Sequence, residues 1–154
     1  MTDERGDKQT MAATTTPEEN KRLARRFPEE IATEGKVDLI DEICAEEVTD
    51  HNPLGEMHGR DELKDHLTSL RAAFGGFSAA VEEAIAEGEI VAMRVTLRGN
   101  HEGEFLGIAP TGTEVEVANM VFTRVEDGQI VERWVQPDML GLMQQLGVID
   151  VPGE

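Results

Sequence analysis

The strongest constraint on the fold is the dipeptide Asp127-Gly128, which lies between two runs rich in β-branched residues. Such a dipeptide between two apolar runs is typical of a two-residue turn in a β-hairpin. A turn of this length places Trp134 opposite Val121 and Gln136 opposite Asn119. The sequence therefore predicts two long antiparallel strands in the last third of the chain.

This register predicts one aromatic and polar surface on the hairpin. Directly opposed residues share a face of the sheet, so Asn119, Trp134 and Gln136 are expected on the same side. Asp138 follows Gln136 by two positions and is expected to leave the strand on that side too. An aromatic wall with amides and a carboxylate at one end suits a small-molecule pocket.

Helical and strand patterns then follow one another along the chain. Thr16-Pro17 has the residue types of a helix start, and Pro28 is expected to kink or restart that helix before it ends at Gly35. Further helices are predicted over residues 37–44, 59–74 and 139–146, and strands over 80–85, 91–97, 114–125 and 129–136. Helices first and strands later indicate an α+β fold. Residues 1–16 are predicted to be a disordered tail and residues 17–154 a single domain.

The charge of the chain excludes several classes of partner. The sequence carries 32 acidic and 14 basic residues, a formal net charge of −18. Nucleic-acid binding relies on Lys and Arg side chains that meet phosphates, so we expect no such partner. No apolar run has the length of a membrane span and the N-terminal residues lack an apolar signal core, so we expect a cytoplasmic protein without a membrane partner. The carboxylate excess resembles that of proteins from salt-accumulating halophiles.

Asp138 is the leading candidate for chemistry, and two interpretations of it stay open. It stands immediately before the closing helix, where an aspartate typically caps free backbone N–H groups. The predicted register also places it beside Trp134, whose indole would partly desolvate the carboxylate and suit it to proton transfer.

The histidines and the single cysteine are weaker candidates. His51 follows a short candidate strand and His101 ends the first long predicted strand, and at such places a histidine either reaches the mouth of a pocket or is simply solvated. His58 and His66 are interpreted as structural or surface residues, and Cys44 as a small buried side chain rather than a nucleophile. No histidines have the spacing of metal ligands, so we expect no metal site.

Three segments together resemble SnoaL-like polyketide and ester cyclases. Residues 103–112, GEFLGIAPTG, are similar to the family segment G-E-F-x-G-[IV]-x-P-T-G. Residues 127–138 and 145–147 resemble the signature D-G-x-I-x-E-x-W-x-x-x-D followed by Q-L-G, and residues 50–53, DHNP, are similar to the segment D-H-x-P. The order and spacing of these segments agree over nearly the whole chain.

The resemblance implies a fold and a chemistry. The fold would be a cystatin-like, nuclear-transport-factor-like conical barrel, in which a strongly curved antiparallel sheet wraps around the N-terminal helices and encloses one deep pocket. Members with this fold are expected to be homodimers or homotetramers. The chemistry would be ring closure of a small carbonyl or ester substrate by intramolecular aldol condensation, without metal or cofactor.

The resemblance also implies roles for particular residues. Asp138 would act as general acid/base, while His51 or Asn52 would hold the oxygens of the substrate and His101 would assist. The remaining residues expected to bind substrate, partly from the hairpin face predicted above, are Phe105, Asn119, Trp134 and Gln136.

Two functional hypotheses follow. The first is a cofactor-independent enzyme of the cyclase, lyase or isomerase type, with Asp138 as its acid/base. The second is a non-catalytic small-molecule-binding or dimerisation domain of the same fold, in which Asp138 only caps a helix. The fold also hosts hydrolases, so fold alone does not decide between them.

Overall fold

The first helix begins where the sequence predicts it. The computed structural model describes residues 15–150, and the predicted tail lies almost entirely outside them. Helix α1, Pro17–Arg26, opens with a capping box: the Thr16 hydroxyl accepts a hydrogen bond from the backbone N–H of Glu19, and the Glu19 carboxylate accepts one from the N–H of Thr16. These bonds satisfy backbone donors that a helix start leaves free.

Pro28 lies where the helix changes type, at the place where the sequence predicts a kink or a restart. The segment Phe27–Thr33 is π-helical. Because proline has no N–H to donate and its ring crowds the preceding turn, the regular α-helical ladder cannot continue through it. Gly35, with a φ of 77°, then ends the segment. The widened turn matters for function because Phe27 and Pro28 both face the cavity described below.

The rest of the described chain contains one 3₁₀ turn, three helices and six strands. They are a 3₁₀ turn Val37–Leu39, α2 Ile40–Ile43, β1 Cys44–His51, β2 Met57–His58, α3 Arg60–Ala73, β3 Phe74–Glu87, β4 Ile90–His101, β5 Glu114–Glu126, β6 Gln129–Pro137 and α4 Met139–Gln145. The predicted helices and strands are therefore present, but β3 is longer than predicted, β1 takes the place of the short candidate strand before His51, and β2 is additional. None of the described helices is long and apolar enough to cross a membrane.

The sheet confirms the α+β prediction and adds one parallel pairing to it. Its six strands lie in the order β2-β1-β6-β5-β4-β3. All neighbours are antiparallel except β1 and β6, which run parallel. The sheet is therefore mixed rather than purely antiparallel.

A β-bulge in the hairpin overturns the predicted register beyond the turn. Asp127 and Gly128 form the turn with positive φ values of 54° and 75°, and Glu126 lies opposite Gln129 as a two-residue turn requires. The register then shifts by one at Val131, so that Trp134 lies opposite Phe122 and Pro137 opposite Asn119.

The shift exchanges the two faces of β6, because successive residues of a strand point to opposite sides. The prediction that Trp134 and Gln136 share a face with Asn119 is therefore wrong. Arg133, Val135 and Pro137 take that face instead.

We call the face of the sheet that packs against the helices the inner face, and the other the outer face. The inner face carries the buried side chains of the strands, among them Val95, Val117 and Val121. On the outer face, Met120 and Phe122 remain 50% and 52% exposed. The core and every candidate for enclosed chemistry thus lie on the inner side.

Candidate active-site pocket

A cavity opens between the inner face and the helices, and we call it the inner cavity. Its volume, counted over the positions that the centre of a water molecule can occupy, is about 120 Å³. One water needs only about 10–15 Å³ by this measure, so the cavity has room for a small organic molecule. Most of its walls are apolar, including Phe27, Leu67, Phe74, Phe77, Phe105 and Val121.

One end of the inner cavity is polar and is built on a buried ion pair. Asp50 of β1 and Arg133 of β6 are direct neighbours across the parallel strands. Arg133 Nη1 donates to Asp50 Oδ2 at 2.6 Å, and the two residues are only 7% and 1% exposed. Asn52 Nδ2 donates to the other carboxylate oxygen at 2.8 Å. The carboxylate is thus held at both oxygens, which a buried charge requires.

The guanidinium of Arg133 is also held from one face. Its Cζ atom lies 3.7 Å from the ring centroid of Phe27, in the π-helical segment. A guanidinium over an aromatic ring is attracted by the negative face of the ring, and more strongly where water is excluded. The bulge, the parallel pairing and the proline-induced turn therefore all contribute to the placement of this one side chain.

His66 completes the polar end, although the sequence analysis assigned it a structural or surface role. It follows Leu63 by three positions on α3, so both side chains fall on the inward side of the helix. His66 lines the inner cavity, and burial lowers its pKa below the ordinary 6.5. The imidazole is consequently neutral at neutral pH.

Three of the predicted site residues line the inner cavity. Asn52 is among the polar residues above, Phe105 forms part of the apolar wall, and Asn119 projects from β5. The side-chain oxygen of Asn119 is buried and has no hydrogen-bond partner among residues 15–150. Sequence reasoning found these three from the segment resemblance and from the strand parity of β5, which the bulge does not disturb.

Asp138 lies at the rim of the inner cavity. The residues on either side of it, Pro137 and Met139, line the cavity, while Asp138 itself is exposed. Its Oδ1 accepts a hydrogen bond from the backbone N–H of Gly141 at 2.9 Å and so caps α4. Asp138 therefore forms the predicted helix cap, and its acid/base role stays a prediction. The predicted contact with Trp134 followed from the register that the bulge overturns.

Trp134, Gln136 and His51 lie away from the inner cavity. The shift at Val131 turns Trp134 and Gln136 to the outer face, where Trp134 stacks on the His51 ring with centroids 5.6 Å apart. Both ring nitrogens of His51 are engaged, with Glu56 and Glu132 each at 2.6 Å. The structure therefore does not bring these three residues to the cavity walls.

His101 is fully buried behind the wall rather than in it. Its Nδ1 accepts from the backbone N–H of Thr111 at 3.2 Å, and its ring packs against Phe74 with centroids 5.4 Å apart. Phe74 and Phe105 are the side chains that face the cavity here. His101 thus fixes the segment that carries Phe105.

Cys44 has the inert character that the sequence predicts. It is buried at the start of β1, and burial raises the pKa of its thiol to about 12. A thiol that stays protonated at neutral pH is a poor nucleophile.

Comparison with known proteins supplies the family. A family model described as SnoaL-like polyketide cyclase matches residues 22–146. The chain belongs to the SnoaL-like polyketide cyclase family. The family resemblance predicted from the three sequence segments is thereby confirmed. The matched range includes the sheet and every residue of the polar end.

Individual relatives agree with this membership. The chain is 33% identical over 132 residues to aklanonic acid methyl ester cyclase DnrD of Streptomyces peucetius, covering 81% of this chain and 88% of that protein. The structure of TsrD from Streptomyces laurentii matches with a TM-score of 0.80 at 24% identity, covering 88% of this chain and all of the other (100%). A Catenulispora acidiphila protein with a ketosteroid isomerase-like fold matches with a TM-score of 0.70 at 17% identity, over 86% of this chain and 95% of that one. The two structures establish the fold.

The stacked His51 and Trp134 give a pH-dependent signal. Hydrogen bonds to Glu132 and to Glu56 raise the pKa of His51 above its ordinary 6.5. The stabilisation from this contact is therefore complete below about pH 6.5 and is lost as the pH rises through the raised pKa. Trp134 is the only tryptophan, so its fluorescence, quenched by a protonated imidazole, should titrate with a midpoint above 6.5. Glu132→Gln should lower that midpoint, and an unchanged midpoint would contradict the assigned contact.

The buried ion pair predicts a large and local effect on stability. Asp50→Ala should lower the free energy of unfolding by about 3–5 kcal/mol, because it leaves a charged guanidinium buried without its partner. Glu116→Ala is the matched control, since Glu116 pairs with Arg98 at the exposed surface, where an ion pair contributes little. Urea denaturation measures both. Similar small losses in the two variants would show that Asp50 and Arg133 are solvated.

Proposed function

We propose that the protein is a cyclase that closes a ring in a small polyketide-type carbonyl or ester substrate by intramolecular aldol condensation, without metal or cofactor. The observation that carries the proposal is the inner cavity, which has apolar walls, a polar end and a carboxylate at its rim. Membership of the SnoaL-like family supports it, as does the relative DnrD, whose name states an ester cyclase activity.

The proposed mechanism needs few protein groups. Neighbouring carbonyls acidify a carbon-bound proton of the substrate, and the Asp138 carboxylate accepts that proton as general base. The resulting enolate carbon attacks a second carbonyl of the same molecule, and the proton on Asp138 passes to the oxygen that becomes the hydroxyl. A general base contributes about 10²–10⁴-fold to the rate. Holding the two carbons in contact contributes roughly 7–11 kcal/mol.

Asp138 is suited to this role by position rather than by burial. The side chains before and after it line the cavity, so a small rotation of its carboxylate or a substrate protruding from the mouth brings the two together. The capping bond uses Oδ1, and the second oxygen has no hydrogen-bond partner among the described residues. One carboxylate can therefore hold the helix and meet the substrate.

The same observation favours a second candidate function. An exposed aspartate that caps a helix needs no catalytic role, and a family member that binds a ligand in the inner cavity without converting it would have the same geometry. This is the non-catalytic binding domain of the second hypothesis.

Replacing Asp138 with asparagine separates the two functions. Asparagine caps helices about as well as aspartate, so folding should persist while turnover of aklanonic acid methyl ester falls about 10²–10⁴-fold. Asp127→Asn, the same change in the distant hairpin turn, should leave turnover unchanged. Product formation is followed by liquid chromatography. Full activity of the Asp138 variant would refute its role as the base, and binding without turnover by the wild type would favour the binding domain.

We propose further that the outer face forms a homodimer. One row of paired residues crosses five strands of this face: Ile85, Ala92, Phe122, Trp134 and His51. Arg94 pairs with Glu83 and Arg124 with Glu132 beside the row, so the negative charge next to it is partly compensated in a chain of net charge −18. An apolar surface with partly compensated charge is the region where two such acidic chains repel each other least.

The dimer is tested with a charge placed in the centre of the row. Phe122→Glu should convert the dimer to a monomer, because each copy would bury a carboxylate against the other. Leu140→Glu is the matched control, since Leu140 is also exposed but lies on α4, away from the row. Light scattering after size-exclusion chromatography gives the mass. A wild-type monomer, or a dimer in both variants, would contradict the proposed interface.

A further inference from the structure

Arg133 has more hydrogen-bond donors than the protein uses. A guanidinium carries five N–H donors, and only Nη1 has a partner among residues 15–150, which is the Asp50 carboxylate. The Nε atom is buried without a partner. Nη2 has no partner among those residues either, and Arg133 lines the inner cavity. These two nitrogens form one edge of the guanidinium, opposite the ion pair.

This free edge is held in place and its charge is already balanced. Phe27 lies against the guanidinium plane, and Asp50 is itself fixed by Asn52. Buried donors without partners are rare in folded proteins and require an explanation. Because Asp50 neutralises the cation, a bare anion would bring an uncompensated charge into the cavity. A neutral oxygen acceptor satisfies the edge without that cost.

We propose that Arg133 is a substrate-binding residue whose free edge donates hydrogen bonds to the oxygens of a 1,3-dicarbonyl group at the inner end of the substrate. The proposal rests on the proposed function only in that substrate and probe enter the same cavity. A planar edge with two parallel donors matches two oxygens in one plane better than a single ammonium does.

The position of Arg133 also sets the shape of the substrate. Asp138 follows Arg133 by five positions along extended chain, which corresponds to roughly 16 Å. A substrate that meets Arg133 at its inner end and Asp138 at the rim is therefore elongated. It carries oxygens at the buried end and its reacting carbon near the mouth.

A matched pair of probes tests the role without any turnover. Benzoylacetone carries a 1,3-dicarbonyl group, whereas butylbenzene has the same ring and chain without oxygen. Isothermal titration calorimetry of both is compared between the wild type and Arg133→Lys, which keeps the charge beside Asp50 and removes the planar edge. Arg25→Lys is the control, because Arg25 lies outside the cavity and pairs with Glu29 on the surface of α1.

The expected result is selective. Arg133→Lys should weaken benzoylacetone binding at least tenfold and change butylbenzene binding less than twofold, while Arg25→Lys should change neither. Equal weakening of both probes by Arg133→Lys would show that Arg133 only shapes the cavity. Unchanged benzoylacetone binding would show that the free edge of Arg133 binds water rather than the probe. Either outcome would overturn the proposal.

A second variant keeps the proposal testable if Arg133→Lys does not fold. Asp50→Asn retains an acceptor for Nη1 but removes the countercharge, so the cation should stabilise the enolate of bound benzoylacetone more strongly. The absorption spectrum of the bound probe should then show the enolate at lower pH than in the wild type. An unchanged spectrum would refute the contact. These binding measurements stand apart from the turnover assay, so the cyclase function and the Arg133 contact can fail independently.

Discussion

The ion pair between Asp50 and Arg133 is the interaction on which the rest of the site depends. Burying two charges costs several kcal/mol per ion unless their geometry and further hydrogen bonds compensate. Here three separate features supply that compensation: the parallel pairing of β1 with β6, the amide of Asn52 and the ring of Phe27. The result is a fixed, neutral and polar end inside an otherwise apolar cavity.

The bulge at Val131 divides the molecule into two faces with different tasks. It turns Arg133 into the cavity and Trp134 out of it, although a tryptophan is the more apolar of the two. Burying Arg133 in place of Trp134 is favourable only because Asp50, on the neighbouring strand, forms an ion pair with the arginine. On the outer face, His51 and Phe122 partly cover the tryptophan. In our account the inner face binds the substrate and the outer face binds a second chain.

Local sequence signals made much of the fold predictable, whereas the bulge and the buried ion pair at the centre of the site could not be predicted from them. The Thr16 cap, the interruption at Pro28, the stop at Gly35 and the turn at Asp127-Gly128 each depend on a few adjacent residues, so the sequence shows them directly. The bulge leaves no such mark, because Ile130 and Val131 are both apolar and either of them suits a buried position.

The partners of the polar end were hidden for a different reason. Asp50 and Arg133 are 83 positions apart, and only the parallel pairing of their strands makes them neighbours. His66 could have been found from its spacing to Leu63 on α3. Segment resemblance found Asn52 and Phe105 without geometry, but it also suggested His51 and His101 for the site, which the structure places outside and behind the wall.

The central claim is that ligands bind on the inner face and not on the outer aromatic row. Methionine methyl groups report on both, since Met139 lines the inner cavity and Met120 is exposed on the outer face. A ¹³C-methyl-methionine NMR titration with an aromatic 1,3-dicarbonyl compound, assigned with single Met→Leu variants, tests the claim most directly. Our account predicts a saturable shift of the Met139 signal with an unmoved Met120 signal. A shift confined to Met120 would contradict it.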